Sequence, residues 1–251
     1  MKWALLSDVH ANWMAWKACV AHARLQGATH WAILGDLVGY GPHPSEVVEA
    51  AQDLQVTAGA VVLRGNHEEM ACRGAGGDSL GALTAAWTFE RLAASQRSWL
   101  SHLPLTHATG SMMLIHASAH QPERWNYVQD SRSAQRSLDA ALNQHPQVRH
   151  VWGGHVHHQT LYYQGKSQQL MPFHPEPGVT IPVPSHRHWL ATIGSVGQSR
   201  DGNVKAAYAI FDADQKELTF HRVSYDHLAT ARAMREMGLP AQLVSRMESG
   251  T

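Results

Sequence analysis

Up to His157 the chain alternates short apolar runs with longer stretches of helical period. Lys2 to Ser7 reads as a first strand, with Asp8-Val9-His10 at its end. Asn12 to Gln26 follows as a helix, because Trp13, Trp16, Val20 and Ala23 fall near helical spacing and Gly27 is a natural stop. His30 to Leu34 is a second strand, running out into the glycine-rich Gly35-Asp36-Leu37-Val38-Gly39-Tyr40-Gly41-Pro42. Pro44-Ser45 opens a helix through Leu54, with Ser45 as N-cap and Val47, Val48 and Leu54 as its apolar face. Thr57 to Leu63 reads as a third strand ending in Arg64-Gly65-Asn66-His67-Glu68. Strand, loop and helix in repetition predict βαβ units and, at first, a parallel sheet.

Gly74-Ala75-Gly76-Gly77 reads as a flexible break. Two helices are expected after it, over Leu80 to Ala94 and Ser95 to His102, and Pro104 ends them. Thr106 to Thr109 and Met112 to His116 form a hairpin around Gly110-Ser111. A loop with Trp125 and Tyr127 leads to a helix from Ser131 to Asn143. His150 to Trp152 is a further strand, running into Gly153-Gly154-His155-Val156-His157. From about Leu161 the pattern changes to strands. Five prolines in about 164–188 suit no central strand, so the segment is expected as a protruding hairpin or lid. Trp189 to Ile193, Lys205 to Asp212 and Glu217 to Val223 are antiparallel strands. A helical tail over about 226–247 breaks at Gly238-Leu239-Pro240. With no repeat, low-complexity tract or linker, residues 1–251 are expected to form one domain.

Composition narrows the function classes. Lys plus Arg and Asp plus Glu number 20 each, so the formal net charge is zero and nothing pulls the chain toward a nucleic-acid duplex or a membrane surface. No apolar run approaches the ~18 residues of a membrane helix, and Trp3-Ala4-Leu5-Leu6 is too short for a signal-peptide core. Cys19 and Cys72 make no disulfide framework and read as free thiols, Cys19 as a core residue, in a reducing cytoplasm.

The chemistry lies at the strand ends, where open α/β sheets bind ligands. Asp8 and His10 are two apart, as are His155 and His157, so on an extended chain each pair points to one side. The glycines before His155 permit close approach. Asp8, His10, Asp36, Asn66, His116, His155 and His157 all fall at or just past the ends of separate predicted strands. Imidazole and oxygen without thiolate suit Mn, Fe, Zn or Ni and argue against a closed structural zinc site. Seven ligands exceed what one catalytic ion takes from protein. Two ions sharing a carboxylate account for the number, and Asp36, with two oxygens, is the natural sharer.

In order and spacing, Asp8-Val9-His10, Gly35-Asp36, Gly65-Asn66-His67-Glu68, His116 and Gly154-His155-Val156-His157 resemble the five blocks of the calcineurin-like metallophosphoesterases. Gly35 to Pro42 and the later Gly194 to Gly202 are similar to a bacterial and archaeal branch of cytosolic phosphodiesterases and diadenosine tetraphosphatase-like hydrolases. This chain has Thr192-Ile193 where that branch has Asn-Pro, and a longer proline-rich hairpin.

The resemblance implies an α/β, four-layer αββα sandwich of two mixed sheets flanked by helices. It implies two divalent transition metal ions, manganese first, with iron, zinc or nickel also suited. One ion would sit on Asp8, His10, Asp36 and His157, the other on Asp36, Asn66, His116 and His155. The implied reaction is hydrolysis of a soluble phosphodiester or dinucleoside polyphosphate by a metal-activated water. His67, beside ligand Asn66 and so pointing elsewhere on extended chain, suits the general acid. The rivals are a phosphomonoester or phosphoprotein phosphatase and a non-catalytic phosphate-binding protein on the same fold. Asn12 and Arg200 are candidate phosphoryl contacts, although Asn12 is equally an N-cap and Arg200 has Asp201 beside it. His43 and His158 flank the motifs without being expected as ligands, and Trp13, Met14 and Trp16 are read as core.

Overall fold

A computed structural model describes residues 1–74, 77–165 and 169–251. Two six-stranded mixed sheets lie face to face. The first has the order β3-β2-β1-β11-β12-β9, from β1 (Lys2–Leu6), β2 (His30–Ile33), β3 (Val61–Val62), β9 (Thr180–Pro182), β11 (Ala206–Asp212) and β12 (Glu217–Val223). The second has the order β4-β5-β6-β10-β7-β8, from β4 (Thr106–Thr109), β5 (Met112–Ile115), β6 (His150–Gly153), β7 (Gln159–Gln164), β8 (Leu170–Phe173) and β10 (Trp189–Ile193).

The period-two alternation of strand side chains produces the layers. On β1, Leu5 joins the cluster between the sheets, whereas Ala4 and Leu6 face out to α1 (Trp13–Leu25) and α2 (Pro44–Ala58). On β5, Met112 and Leu114 point between the sheets and Met113 and Ile115 point to α6 (Ser131–Gln144). Trp152, Trp189, Phe211 and Phe220 fill the middle layer. Because both faces of these strands are covered, they read as continuous apolar runs in the sequence. Helix, sheet, sheet, helix is the expected four-layer sandwich. Trp16 and Cys19 are core residues of α1 as expected, with Trp13 packed against them.

The parallel strands all end at one edge. β1, β2 and β3 are parallel to one another in the first sheet, and β5, β6 and β10 in the second. Val196 N–H donates to the Ser7 carbonyl and Gly154 N–H to the His116 carbonyl, stitching the loops after β10, β1, β6 and β5 together.

Several boundaries differ from the sequence reading. The strand expected over Thr57 to Leu63 shrinks to Val61–Val62, because α2 continues to Ala58 and stops at Gly59 in left-handed conformation. Pro44 occupies the first helical turn and His43 is the N-cap, so Ser45 is not the cap; its hydroxyl instead donates to the Arg91 carbonyl. The expected break after α3 (Asn66–Arg73) begins at left-handed Gly74, while Ala75 and Gly76 lie outside the described residues. α4 (Leu80–Arg91) and α5 (Ala94–Ser101) each end one to three residues short of expectation. The proline-rich segment, whose residues 166–168 lie outside those described, does not pair only with itself. Its β8 adds to the edge of one sheet beside β7, and its β9 adds to the edge of the other beside β12. Pro172 and Pro182 thus occupy edge strands, where a missing N–H is tolerated. In the tail, α7 (His227–Glu236) and α8 (Ala241–Ser249) pack on each other.

Candidate metal centre

All seven candidate ligands converge at the common edge of the two sheets. Asp8, His10, Asp36, His116, His155 and His157 are buried, and each sits within three residues of the preceding strand's end, or four for His10 and His157. Asp8, His10 and His157 present ligand atoms within 4.8 Å of one another, and so do Asp36, His116 and His155. Asn66 Oδ1 lies 3.3 Å from His116 Nε2, on the side of the second group. Asp36 stands between: its Oδ2 is 3.4 Å from His116 Nε2 and 3.9 Å from His10 Nε2. These two groups fall within the two ligand sets that the motif blocks imply, and His10, Asp36 and His67 form a third group with ligand atoms within 4.8 Å of one another.

Convergence does not come from extended backbone, as the two-residue spacing suggests. Asp8, His10, Asp36, His155 and His157 all have positive φ, between 48° and 68°. Asp and His enter this left-handed region more readily than most residues, but it remains a strained choice. The loops are held there by hydrogen bonds: Asp8 N–H donates to the Gly35 carbonyl, His10 N–H to Asp36 and Ala11 N–H to Leu37. Close approach needs glycine at several points, among them Gly65, where a Cβ would collide with Asp36 Oδ1. A Cβ at Gly154 would collide with Ser7 Oγ and Asp8 Oδ2, and one at Gly35 would lie 2.8 Å from both Gly65 N and His116 Nδ1.

Three histidines have their tautomer fixed from behind. Nδ1 of His10 donates to the Val38 carbonyl, Nδ1 of His116 to Leu34 and Nδ1 of His157 to Gln198. In the neutral form, rings held this way expose bare Nε2 lone pairs, as at His10, whose pKa burial lowers well below the ordinary value, whereas Asp36 shifts His116 toward its protonated form. The lone pairs face other acceptors: His10 Nε2 is 3.1 Å from His157 Nε2, which is 3.2 Å from Asp8 Oδ1. Asp8 Oδ1 and His155 Nε2 are buried without any hydrogen-bond partner. Acceptors converging on acceptors in a buried site are unfavourable unless cations lie among them. The donor set fits metal ions.

The charges agree. Burial raises the carboxyl pKa of Asp36, but His116, His67 and His10 outweigh it and hold the group below its ordinary range. Asp8 shifts the same way, burial again being overcome, chiefly by His157. His116 is pushed up to about 9, with Asp36 overcoming the burial that would lower it. Among the described residues the ion-pair partners of both carboxylates are all histidines.

Two buried groups the motif reading left without a role organise this centre. Glu68 accepts from Asp36 N–H and Gly65 N–H through Oε2, and from Val38 N–H through Oε1. One carboxylate so ties the loop after β2 to the start of α3. Glutamate three residues after an N-cap is a recognisable helix-start signal, which could have revealed it. Ser195 donates through Oγ to the Asp8 carbonyl, and Gln198 supplies the carbonyl for His157, so Gly194 to Gly202 braces the ligand loops from behind.

His67 is not on extended chain, as the sequence suggests, but in the first turn of α3. Its N–H donates to Asp36 Oδ1, and its ring stands edge-on to His10 and Tyr40, with centroids at 4.9 Å and 4.4 Å. Its Nδ1 is buried and unpartnered. Burial lowers its pKa more than the nearby Asp36 raises it.

The two candidate phosphoryl contacts part ways. Asn12 is the N-cap of α1, accepting from Ala15 N–H, and its amide also reaches the Gly197 carbonyl and the Tyr225 hydroxyl. Its polar atoms are thus taken by the protein, against the phosphoryl role. Asn12→Ala is expected to cost about 1–2 kcal/mol for the cap alone, read as a lower Tm, with KM for a phosphodiester unchanged. Arg200 does not pair with Asp201, which is held by Arg222. Its guanidinium lies 6.0 Å from the Tyr40 ring centroid, its buried Nε has no partner, and the side chain borders a cavity that also meets Val156 and His158 of the ligand loop. His43 and His158 fall outside both ligand groups, as expected.

The family model for calcineurin-like phosphoesterases matches residues 1–189. A metallophosphoesterase from Sphaerobacter thermophilus superimposes with a TM-score of 0.87 at 34% identity, covering 100% of both chains. A hypothetical protein from Pyrococcus horikoshii has the same fold, with a TM-score of 0.78 at 19% identity over 100% of this chain and 98% of that one. An uncharacterized protein of Methanocaldococcus jannaschii is 28% identical over 98% of this chain and 97% of its own length. With the sandwich, the metal-ligand groups and this match in hand, the chain belongs to the calcineurin-like phosphoesterases and is a metal-dependent phosphoric ester hydrolase.

Proposed function

We propose that this enzyme hydrolyses a phosphodiester or a dinucleoside polyphosphate, using two divalent ions, preferably manganese, held on either side of Asp36. One ion is assigned to Asp8, His10, Asp36 and His157, and the other to Asp36, Asn66, His116 and His155. The observation that carries the assignment is the inward-facing set of bare acceptors, His10 Nε2 and His157 Nε2 at 3.1 Å above all. When bound, such a pair lowers the pKa of a water and neutralises charge on phosphoryl oxygens.

The remaining work falls to the chain. The Nδ1–H donations to Val38, Leu34 and Gln198 keep three ligand rings aimed before substrate arrives, so no reorganisation is needed in the reaction. His67 acts as general acid. As the imidazolium, with Nδ1 buried, it gives its Nε2 proton to the leaving oxygen and returns to the neutral ring, a step that should weaken as pH rises above its burial-lowered pKa, while the Asp36 carboxylate holds the residue in place through its main chain. Arg200 meets a phosphoryl oxygen from the cavity wall, its planar fork being suited to that contact. A cytoplasmic setting suits two free cysteines, and no described helix is long and apolar enough to cross a membrane.

The test is a turnover screen with added Mn²⁺ against diadenosine tetraphosphate, cyclic nucleotides, aryl phosphomonoesters, aryl phosphodiesters and a phosphopeptide. The diesters or the tetraphosphate should be turned over fastest. Preference for the monoester or the phosphopeptide would replace the proposal with a phosphatase.

A further inference from the structure

One cavity is bordered by the metal ligands Asn66 and His155, a second lies beside Val156 and His158 of the ligand loop, and one side chain belongs to both. The larger, about 680 Å³, is bordered by His158, Asn203, Arg200 and, from the proline-rich segment, His174 and Pro175. The smaller, about 420 Å³, is bordered by Asn66, Met70, Trp125 and His155. Tyr127 lines both. It is 50% exposed, unusual for a large aromatic residue in a loop packed on a buried centre, and its ring is stacked on His155 at 4.2 Å and 29°. Trp125, two residues earlier, meets His116 edge-on at 5.8 Å.

The two walls differ in chemistry. The smaller cavity offers a thioether and two aromatic rings, Met70, Trp125 and Tyr127; its charged members, Glu69 and Arg73, are paired with each other at 2.7 Å. Flat aromatic groups stack on such a surface. The larger cavity offers hydrogen-bonding groups and the Arg200 side chain, which suits a polar or anionic group. A phosphomonoester has one substituent and would leave one cavity empty. A phosphodiester or a phosphoanhydride carries one on each side of phosphorus.

We infer that Tyr127 and Trp125 form a stacking platform for the aromatic base of a nucleotide substrate, with the other arm of the phosphodiester or polyphosphate lying in the Arg200 cavity. Tyr127 is thereby a specificity-determining residue that divides the cleft. The inference rests on the phosphodiesterase reading above and names the substrate class for it: a nucleotide ester with one base-bearing arm and one polar arm.

The test compares esters that share one leaving group: thymidine 5′-(p-nitrophenyl) phosphate and methyl p-nitrophenyl phosphate, with Mn²⁺. Base stacking is worth about tenfold or more in binding, so kcat/KM for the nucleotide ester should exceed that for the methyl ester by about that factor. Tyr127→Ala should bring the ratio close to one, mainly through KM of the nucleotide ester. Tyr127→Phe, which keeps the ring, should restore the ratio. Metal content of each variant separates this effect from loosened support of His155, which would lower both esters together. A wild-type ratio near one, or a ratio that Tyr127→Ala leaves unchanged, would overturn the platform while diesterase activity stands. If neither ester turns over in metal-loaded enzyme, the phosphodiesterase reading fails instead.

Discussion

Asp36→Asn is expected to strip the protein of bound metal, leaving at most one ion per chain by elemental analysis after loading and desalting. Both carboxylate oxygens are engaged: Oδ2 faces His116 and His10, and Oδ1 accepts the His67 N–H. An amide keeps one acceptor and turns an NH₂ toward the other. That NH₂ can satisfy a bare imidazole nitrogen but cannot bind a cation. Loss of an outer hydrogen-bond partner of a metal ligand typically costs ~10–100-fold in affinity or activity, so loss of the shared ligand should exceed that in kcat/KM. The metal-free variant should be less stable than metal-free wild type at neutral pH, because the buried carboxylate it loses is paired with His116 and His10, which hold its pKa below the ordinary range. Full metal occupancy in Asp36→Asn would remove Asp36 from the bridging position.

The second large effect is expected at His67. His67→Ala should retain both ions, since His67 contributes its main chain, not a ligand atom, to holding Asp36 in the proposed arrangement. Turnover of an aryl phosphodiester should fall by ~10²–10⁴. The loss should be smaller for esters with better leaving groups, whose oxygen needs less protonation; a merely structural role for His67 would show no such dependence. Full activity of His67→Ala would exclude it from the mechanism.

What the residues reveal without coordinates is uneven, for identifiable reasons. Trp189–Ile193 and Glu217–Val223 match their expected limits, because a buried apolar run in the first and apolar–polar alternation in the second, each between turn residues, leave little choice. The strand expected from Thr57 fails because β-branched Val56 and Thr57 resemble its start. In fact Val56 is 85% exposed on the last turn of α2, and the Thr57 hydroxyl bonds back to the Asp53 carbonyl within the helix. Gly59 was the stop signal, and tertiary context outweighed propensity.

At the centre, residue types and order revealed the ligands, while the backbone that aims them did not follow from spacing. A two-residue interval means a shared face only on extended chain, and Asp8, His10, His155 and His157 are left-handed. Nothing in a single sequence distinguishes a strained aspartate from a relaxed one. The orienting shell was equally hidden, because carbonyls of Leu34, Val38 and Gln198 carry no residue-specific signal. Tyr127 was visible only as an aromatic residue in a loop. Its importance depends on His155, 28 positions away, arriving beneath it.

The measurement closest to the centre of this reading is anomalous diffraction at the manganese edge, from crystals grown with excess Mn²⁺. Two separate peaks are expected, one enclosed by Asp8, His10 and His157, the other by Asn66, His116 and His155, with the Asp36 carboxylate between them. A single peak, or two peaks with Asp36 turned away from either, would contradict the shared-carboxylate centre on which the proposed chemistry depends.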